Sequence, residues 1–179
     1  MPTLCVYLGA NAGNELKYKE TVVELGVSLA ESGVNLLYGG SSLGLMGALA
    51  RSVLSNGGSA TGIITKYLLD LETPQKGLDK LIVVQTMAER KSMMIEKADA
   101  FLVFPGGIGT LEEAIETFNA IKIGLIDKKI GFLNIDGYFD NLFKYIFECS
   151  EKGFVKSKDA QIPLVDGSIE RLLPTLFLE

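Results

Sequence analysis

Two groups of residues in this sequence have the types and spacing to do chemistry. The first is Pro105-Gly106-Gly107-Ile108-Gly109-Thr110-Leu111-Glu112-Glu113, which follows the apolar run Ala100–Phe104. Leu111, Ala114, Ile115, Phe118 and Ile121 recur at spacings of three and four, one face of a helix that the turn opens. A glycine-rich turn between strand and helix leaves backbone N–H groups unhindered at the positive end of the helix dipole, so an anion, most often phosphate, is its natural guest. The second group is Met87-Ala88-Glu89-Arg90-Lys91-Ser92-Met93-Met94, where Met87, Met94 and Ala98 define an apolar stripe and Arg90 and Lys91 flank it. Cations beside a buried stripe need an anionic partner. A ligand phosphate fits, and guanidinium is well shaped for it; the alternative is that both chains reach water or pair with Glu96 or Asp99. Glu113 is ambiguous in the same way. Thr110-x-x-Glu113 is the pattern of a capping box, which explains both residues by helix stability alone. As a functional residue, a carboxylate beside a bound phosphate makes sense only if the ligand also has an electron-deficient part, as a sugar phosphate cleaved through a cation-like ribosyl centre does.

The elements that must position these residues alternate between strand and helix. Strands are expected at Thr3–Leu8, Val34–Tyr38, Ser59–Ile64, Leu81–Val84, Ala100–Phe104 and Lys129–Asn134, with a short one at Pro163–Val165. Helices are expected over 15–32 (Val22, Gly26, Leu29 and Ala30 inward), after Gly44 (Leu45, Leu49 and Val53 inward, stopped by Gly57-Gly58), and over 87–98, 110–122, 138–152 and 168–176; the segment 65–80 reads as irregular. β-Branched strands alternating with amphipathic helices make an α/β fold, a doubly wound parallel sheet with helices on both faces. Ligands of such sheets sit beyond the carboxyl ends of the strands where strand order reverses. Glycine-rich turns follow the first, second and fifth strands (Gly9–Gly13, Gly39–Gly44 and Pro105–Gly109), which favours one nucleotide-sized site over three separate ones. Neither the Walker lysine spacing nor the G-x-G-x-x-G fingerprint is present.

Composition narrows the classes further. The 179 residues carry a net charge of −5 with 47% apolar and 22% charged residues, an ordinary composition for one domain, 1–179, and a poor one for an extended nucleic-acid surface. With no histidine, the commonest acid–base group and metal ligand is missing, and no metal or other cofactor is expected. Cys5 and Cys149 read as buried free thiols. Nothing reads as a signal peptide or a membrane span, so a soluble cytoplasmic protein is expected.

Met87-x-x-Arg90-Lys91 followed by Pro105-Gly106-Gly107-x-Gly109-Thr110-x-x-Glu113 resembles the paired signature of the LOG ("lonely guy") phosphoribohydrolases. The resemblance extends over Cys5–Gly9, Tyr38–Gly47, Leu133–Tyr138 and Glu151–Phe154, nearly the whole chain. It implies a Rossmann-like fold, a homodimer with sites near the interface, and hydrolysis of the N-glycosidic bond of an N6-modified adenosine 5′-monophosphate to free base and ribose 5-phosphate. Relatives also act as AMP nucleosidases. The resemblance places Arg90 and Glu113 on catalytic positions. It places Lys91, Gly107, Ile108, Gly109, Thr110, Leu111, Glu112, Glu72 and Asn119 on nucleotide contacts. Gly106 joins the amides expected to hold the phosphate, while Gly9, Gly40 and Ser41 belong to loops expected to enclose the nucleoside. Two departures bear on the base: Ala10-Asn11-Ala12 stands where relatives carry serines, and Asn119-Ala120-Ile121 replaces a segment that often holds tryptophan. A lysine decarboxylase, an older label for such chains, would need a pyridoxal phosphate lysine that the sequence does not offer. The rival expectation is a nucleotide-binding or sensing protein with little turnover.

Overall fold

In the computed structural model, which describes residues 1–177, strand and helix alternate as the pattern requires; the last two residues of the expected 1–179 domain lie outside the described ones. The strands are β1 (Thr3–Tyr7), β2 (Asn35–Tyr38), β3 (Ala60–Thr65), β4 (Lys80–Val84), β5 (Ala100–Val103), β6 (Lys129–Leu133) and β7 (Leu164–Asp166). The helices are α1 (Leu16–Glu31), α2 (Gly44–Ser55), α3 (Lys66–Leu71), α4 (Met87–Lys97), α5 (Ile108–Lys122), α6 (Asp140–Glu151), α7 (Ser157–Ala160) and α8 (Ile169–Thr175). Among the described residues the strands form one sheet in the order β4-β3-β2-β1-β5-β6-β7, every pair parallel. The order reverses between β1 and β5, where Leu4 pairs with Ala100 and Tyr7 with Val103.

Side chains alternate across a strand, so β1 feeds two cores. Leu4 and Val6 pack with Val22, Leu25 and Leu29 of α1, Leu45, Leu49 and Val53 of α2, and Leu172 of α8. Cys5 and Tyr7 face Met94 of α4, Ala114 and Phe118 of α5, and Ile146 of α6. Both faces of the sheet are thus covered, which explains why its strands read as near-continuous apolar runs. Among the described residues no helix is long and apolar enough to cross a membrane. Cys5 is buried and Cys149 half-buried; both are free thiols, so the expectation of burial holds for Cys5 alone.

The segment 65–80 is not irregular throughout. Thr65 Oγ1 accepts the Leu68 N–H at 3.2 Å and starts α3, a short helix with none of its residues buried; lacking an inward face, it left no periodicity to read. The rest of that segment is stitched to the second glycine loop: Ser42 Oγ and N both donate to Thr73 O, at 2.7 and 3.0 Å, and Gln75 N to Gly40 O at 3.1 Å. Two further short pieces, α7 and a 3-10 turn at Ile135–Gly137, also went unread, and α6 begins at Asp140 rather than 138.

Candidate active site

Arg90 reaches the site from α4, a helix whose start is fixed by its own side chains. Thr86 Oγ1 accepts the Glu89 N–H at 3.1 Å, and Glu89 Oε2 accepts the Gln85 N–H at 2.8 Å. Two otherwise orphaned amides are satisfied in this way. Arg90 is buried, and its guanidinium is placed by backbone carbonyls from two other elements. Nε donates to Ile63 O at 2.9 Å, Nη2 makes a long 3.5 Å contact to Gly39 O, and Nη1 lies 3.4 Å from Glu113 Oε1. A β-carbon on Gly39 would collide with Nη2, so the loop after β2 needs glycine to admit the guanidinium.

Glu113 belongs to α5, and here the structure corrects a sequence expectation. The helix begins at Ile108 with Gly107 as its cap and no side-chain capping bond. Thr110 and Glu113 therefore form no capping box; Thr110 is buried inside the first turn. The inward face is Thr110, Ala114, Thr117 and Phe118, whereas Leu111 and Ile115, expected inward, are more than a third exposed. In this orientation Thr117 Oγ1 shares a 2.9 Å hydrogen bond with Tyr7 Oη in the core. The same orientation sets Glu113 against Arg90, where its side chain is only 12% exposed. Burial raises the Glu113 carboxyl from its usual range to about 7, against the pull of the Arg90 guanidinium, with Glu112 pushing the same way as burial.

Lys91, partly exposed, pairs with neither Glu96 nor Asp99 but with carboxylates of α5. Its ammonium bridges Glu112 and Glu116 on α5, at 2.5 Å to Glu116, and these hydrogen bonds raise its pKa. Lys91 thereby neutralises Glu112, a carboxylate near the start of α5 that would otherwise repel an anion at the same helix end.

Arg90, Glu112 and Glu113 border a cavity of about 690 Å³ at the carboxyl ends of the strands, where strand order reverses. Of the residues expected at the site, Gly9, Glu72, Arg90, Gly106, Gly107, Ile108, Gly109, Thr110, Glu112 and Glu113 line it. Gly40, Ser41, Lys91 and Leu111 are not among its lining residues, and Asn119 borders a separate groove along α5. Gly40 and Ser41 serve the loop instead: Gly40 has φ +80°, and buried Ser41 Oγ accepts the Leu43 N–H at 3.2 Å. Gly107 and Gly109 face open space, since a β-carbon on either would meet nothing within 4 Å. Gly39, from the loop expected to enclose the nucleoside, lines the cavity too, as do Met87 and Tyr138, which the sequence does not mark as site residues. Met87 belongs by periodicity to the core stripe, yet it is exposed toward this space.

The fold and the site together define a class: a doubly wound α/β protein with a nucleotide-sized cavity at its switch point and a buried guanidinium–carboxylate pair within it. Comparison with known proteins agrees. The family model described as "possible lysine decarboxylase" matches residues 46–176. The cytokinin riboside 5′-monophosphate phosphoribohydrolase LOG1 of Arabidopsis thaliana is 36% identical over 173 residues, 97% of this chain and 81% of that protein. The enzyme of the same name, LOG, from Oryza sativa subsp. japonica is 37% identical over 170 residues, 95% of this chain and 70% of that one. Among solved structures, the molybdenum cofactor carrier protein of Chlamydomonas reinhardtii superposes with a TM-score of 0.75 at 22% identity over 99% of each chain, a likeness of fold. The chain belongs to the LOG family.

Proposed function

We propose that this protein is a nucleoside 5′-monophosphate phosphoribohydrolase. It binds an N6-modified adenosine 5′-monophosphate as a small-molecule partner and hydrolyses it to free base and ribose 5-phosphate. The observation that carries this reading is the buried Arg90–Glu113 pair in a cavity that also receives the glycine-rich start of α5. The Gly106–Thr110 turn takes the 5′-phosphate on backbone amides at the positive end of a fifteen-residue helix. Leu45, Met46, Leu68 and Met87 give the cavity an apolar wall suited to a base and an N6 substituent.

The reaction breaks C1′–N9 heterolytically, the electron pair leaving with the base while positive charge grows on the ribose. As in glycoside hydrolysis, a nearby carboxylate stabilises that charge. Water attacks C1′, and the proton it gives up is the one the departing base gains. Glu113, poised near neutrality by burial, can take the proton as carboxylate and return it as acid. Arg90, anchored by Ile63 and Gly39, holds Glu113 in place and faces the nucleotide. Among the described lining residues there is no lysine, so the cavity offers no amine for the Schiff base of a pyridoxal-dependent decarboxylase.

The same reading takes residues 1–179 as one domain in a cytoplasmic homodimer without nucleic-acid or membrane partners. A second reading, a nucleotide sensor with little turnover, draws on the Ala10–Ala12 wall of the cavity, where two of three side chains are methyl groups. Chromatography after incubation with AMP and with isopentenyl-AMP decides. Free base and ribose 5-phosphate are expected from at least one, with turnover abolished and binding largely kept in Glu113→Gln. Binding of either nucleotide with base released from neither establishes the sensor instead.

A further inference from the structure

Tyr138 lines the cavity, and its hydroxyl donates a 2.6 Å hydrogen bond to the carbonyl of Gly106. Gly106 immediately precedes Gly107, the cap of α5. In a trans peptide the C=O and the following N–H point in opposite directions, so anchoring the Gly106 carbonyl also aims the Gly107 N–H. The other flank of Gly106 is closed by Thr110, whose side chain would collide with a β-carbon there. One peptide of the turn is thus gripped between Thr110 and Tyr138.

The phenol is itself braced. It follows Asp136, which holds a left-handed φ of +48°, a conformation that non-glycine residues rarely adopt. The Asp136 carboxylate takes the Lys17 ammonium at 2.6 Å, and Lys17 also reaches Glu15 at 3.0 Å. The Tyr138 ring meets Tyr18 edge-on at 5.9 Å and Phe139 at 5.0 Å. Asn134 closes the turn, its Oδ1 accepting the Phe139 N–H and its Nδ2 donating to Asp140, both at 2.7 Å. An arm from the end of β6, tied to the start of α1, therefore delivers one hydroxyl to the glycine turn.

We propose that Tyr138 is a positioning residue for the anion-binding turn: through the Gly106 carbonyl it holds the Gly107–Gly109 amides in the orientation that receives the 5′-phosphate. The proposal rests on the phosphoribohydrolase reading of the site and concerns only its phosphate arm. Tyr138→Phe removes one oxygen and keeps the ring contacts. Titration calorimetry with AMP and with adenosine, on wild type and variant, separates a phosphate effect from a general one. The expected result is an AMP affinity reduced about tenfold, about 1.4 kcal/mol, with adenosine affinity changed less than twofold and the melting temperature unmoved. In turnover, KM for AMP rises while kcat holds. Unchanged AMP affinity, or equal losses for AMP and adenosine, overturns the role. Wild-type protein that binds AMP but releases base from neither AMP nor isopentenyl-AMP overturns the hydrolase reading alone, because the two binding comparisons still decide the role of Tyr138.

Discussion

At Glu113 two environments act against each other. Burial favours the neutral acid, the Arg90 guanidinium favours the anion, and burial prevails, leaving the group near 7. The consequence for stability has a definite sign. Because the folded-state value lies above the unfolded value of about 4.5, the native state holds the proton more tightly. The stability this contributes is fully present in acid and is lost as pH rises from about 4.5 through 7. Between pH 5 and pH 8 the wild type should therefore lose about 2 kcal/mol relative to Glu113→Gln, whose amide does not titrate. Urea unfolding of both proteins at the two pH values measures the difference; parallel behaviour would show that burial does not govern this carboxyl. Arg90 and Glu113 were legible in the sequence as residue types, but their partnership was not. They lie on different helices, and the orientation of α5 that buries the Tyr7–Thr117 bond also brings them together. No local pattern records a bond between residues 110 positions apart.

The start of α5 shows function and helix stability in opposition. Glycine inside a helix costs about 0.5–1 kcal/mol relative to alanine, and Gly109 has no packing neighbour that would exclude a methyl group. Gly109→Ala should raise the unfolding free energy by about 0.5 kcal/mol and weaken AMP binding several-fold, since the methyl group would occupy space meant for the ligand. Denaturant titration beside calorimetry checks both halves; a stabilised variant with full AMP affinity would remove the turn from the binding site. At this scale the sequence was most readable where glycine and apolar periodicity coincide, as in the three turns and the long helices. It was least readable where a threonine pattern had two homes. The capping arrangement foreseen at Thr110–Glu113 has its counterpart at Thr86–Glu89 instead, where the first threonine precedes its helix rather than lying inside it.

Across the whole molecule, doubly wound order follows from strand composition and helix alternation, while the position of the reversal comes from the pairing of β1 with β5. The same arrangement leaves Leu111 and Ile115 on the outer side of α5, with Ile123 and Leu125 exposed just beyond the helix. For the proposed homodimer this exposed apolar face is the expected interface. Sedimentation velocity should find twice the 19.3 kDa chain mass, and Leu111→Glu with Ile115→Glu should give monomers; a double variant that sediments as a dimer would place the interface elsewhere.

The joint between β1 and β5 also imposes a timetable. Leu4 must find Ala100, so a long stretch of chain closes into a loop before the two central strands meet, and such distant pairings slow folding. Arg90 belongs to the part of the chain before that joint, Glu113 and the Gly106–Gly109 turn to the part after it. A nascent chain that has reached Asp99 already carries four strands and the guanidinium, yet it has neither the turn nor the carboxylate. Binding and chemistry are among the last properties the growing chain acquires.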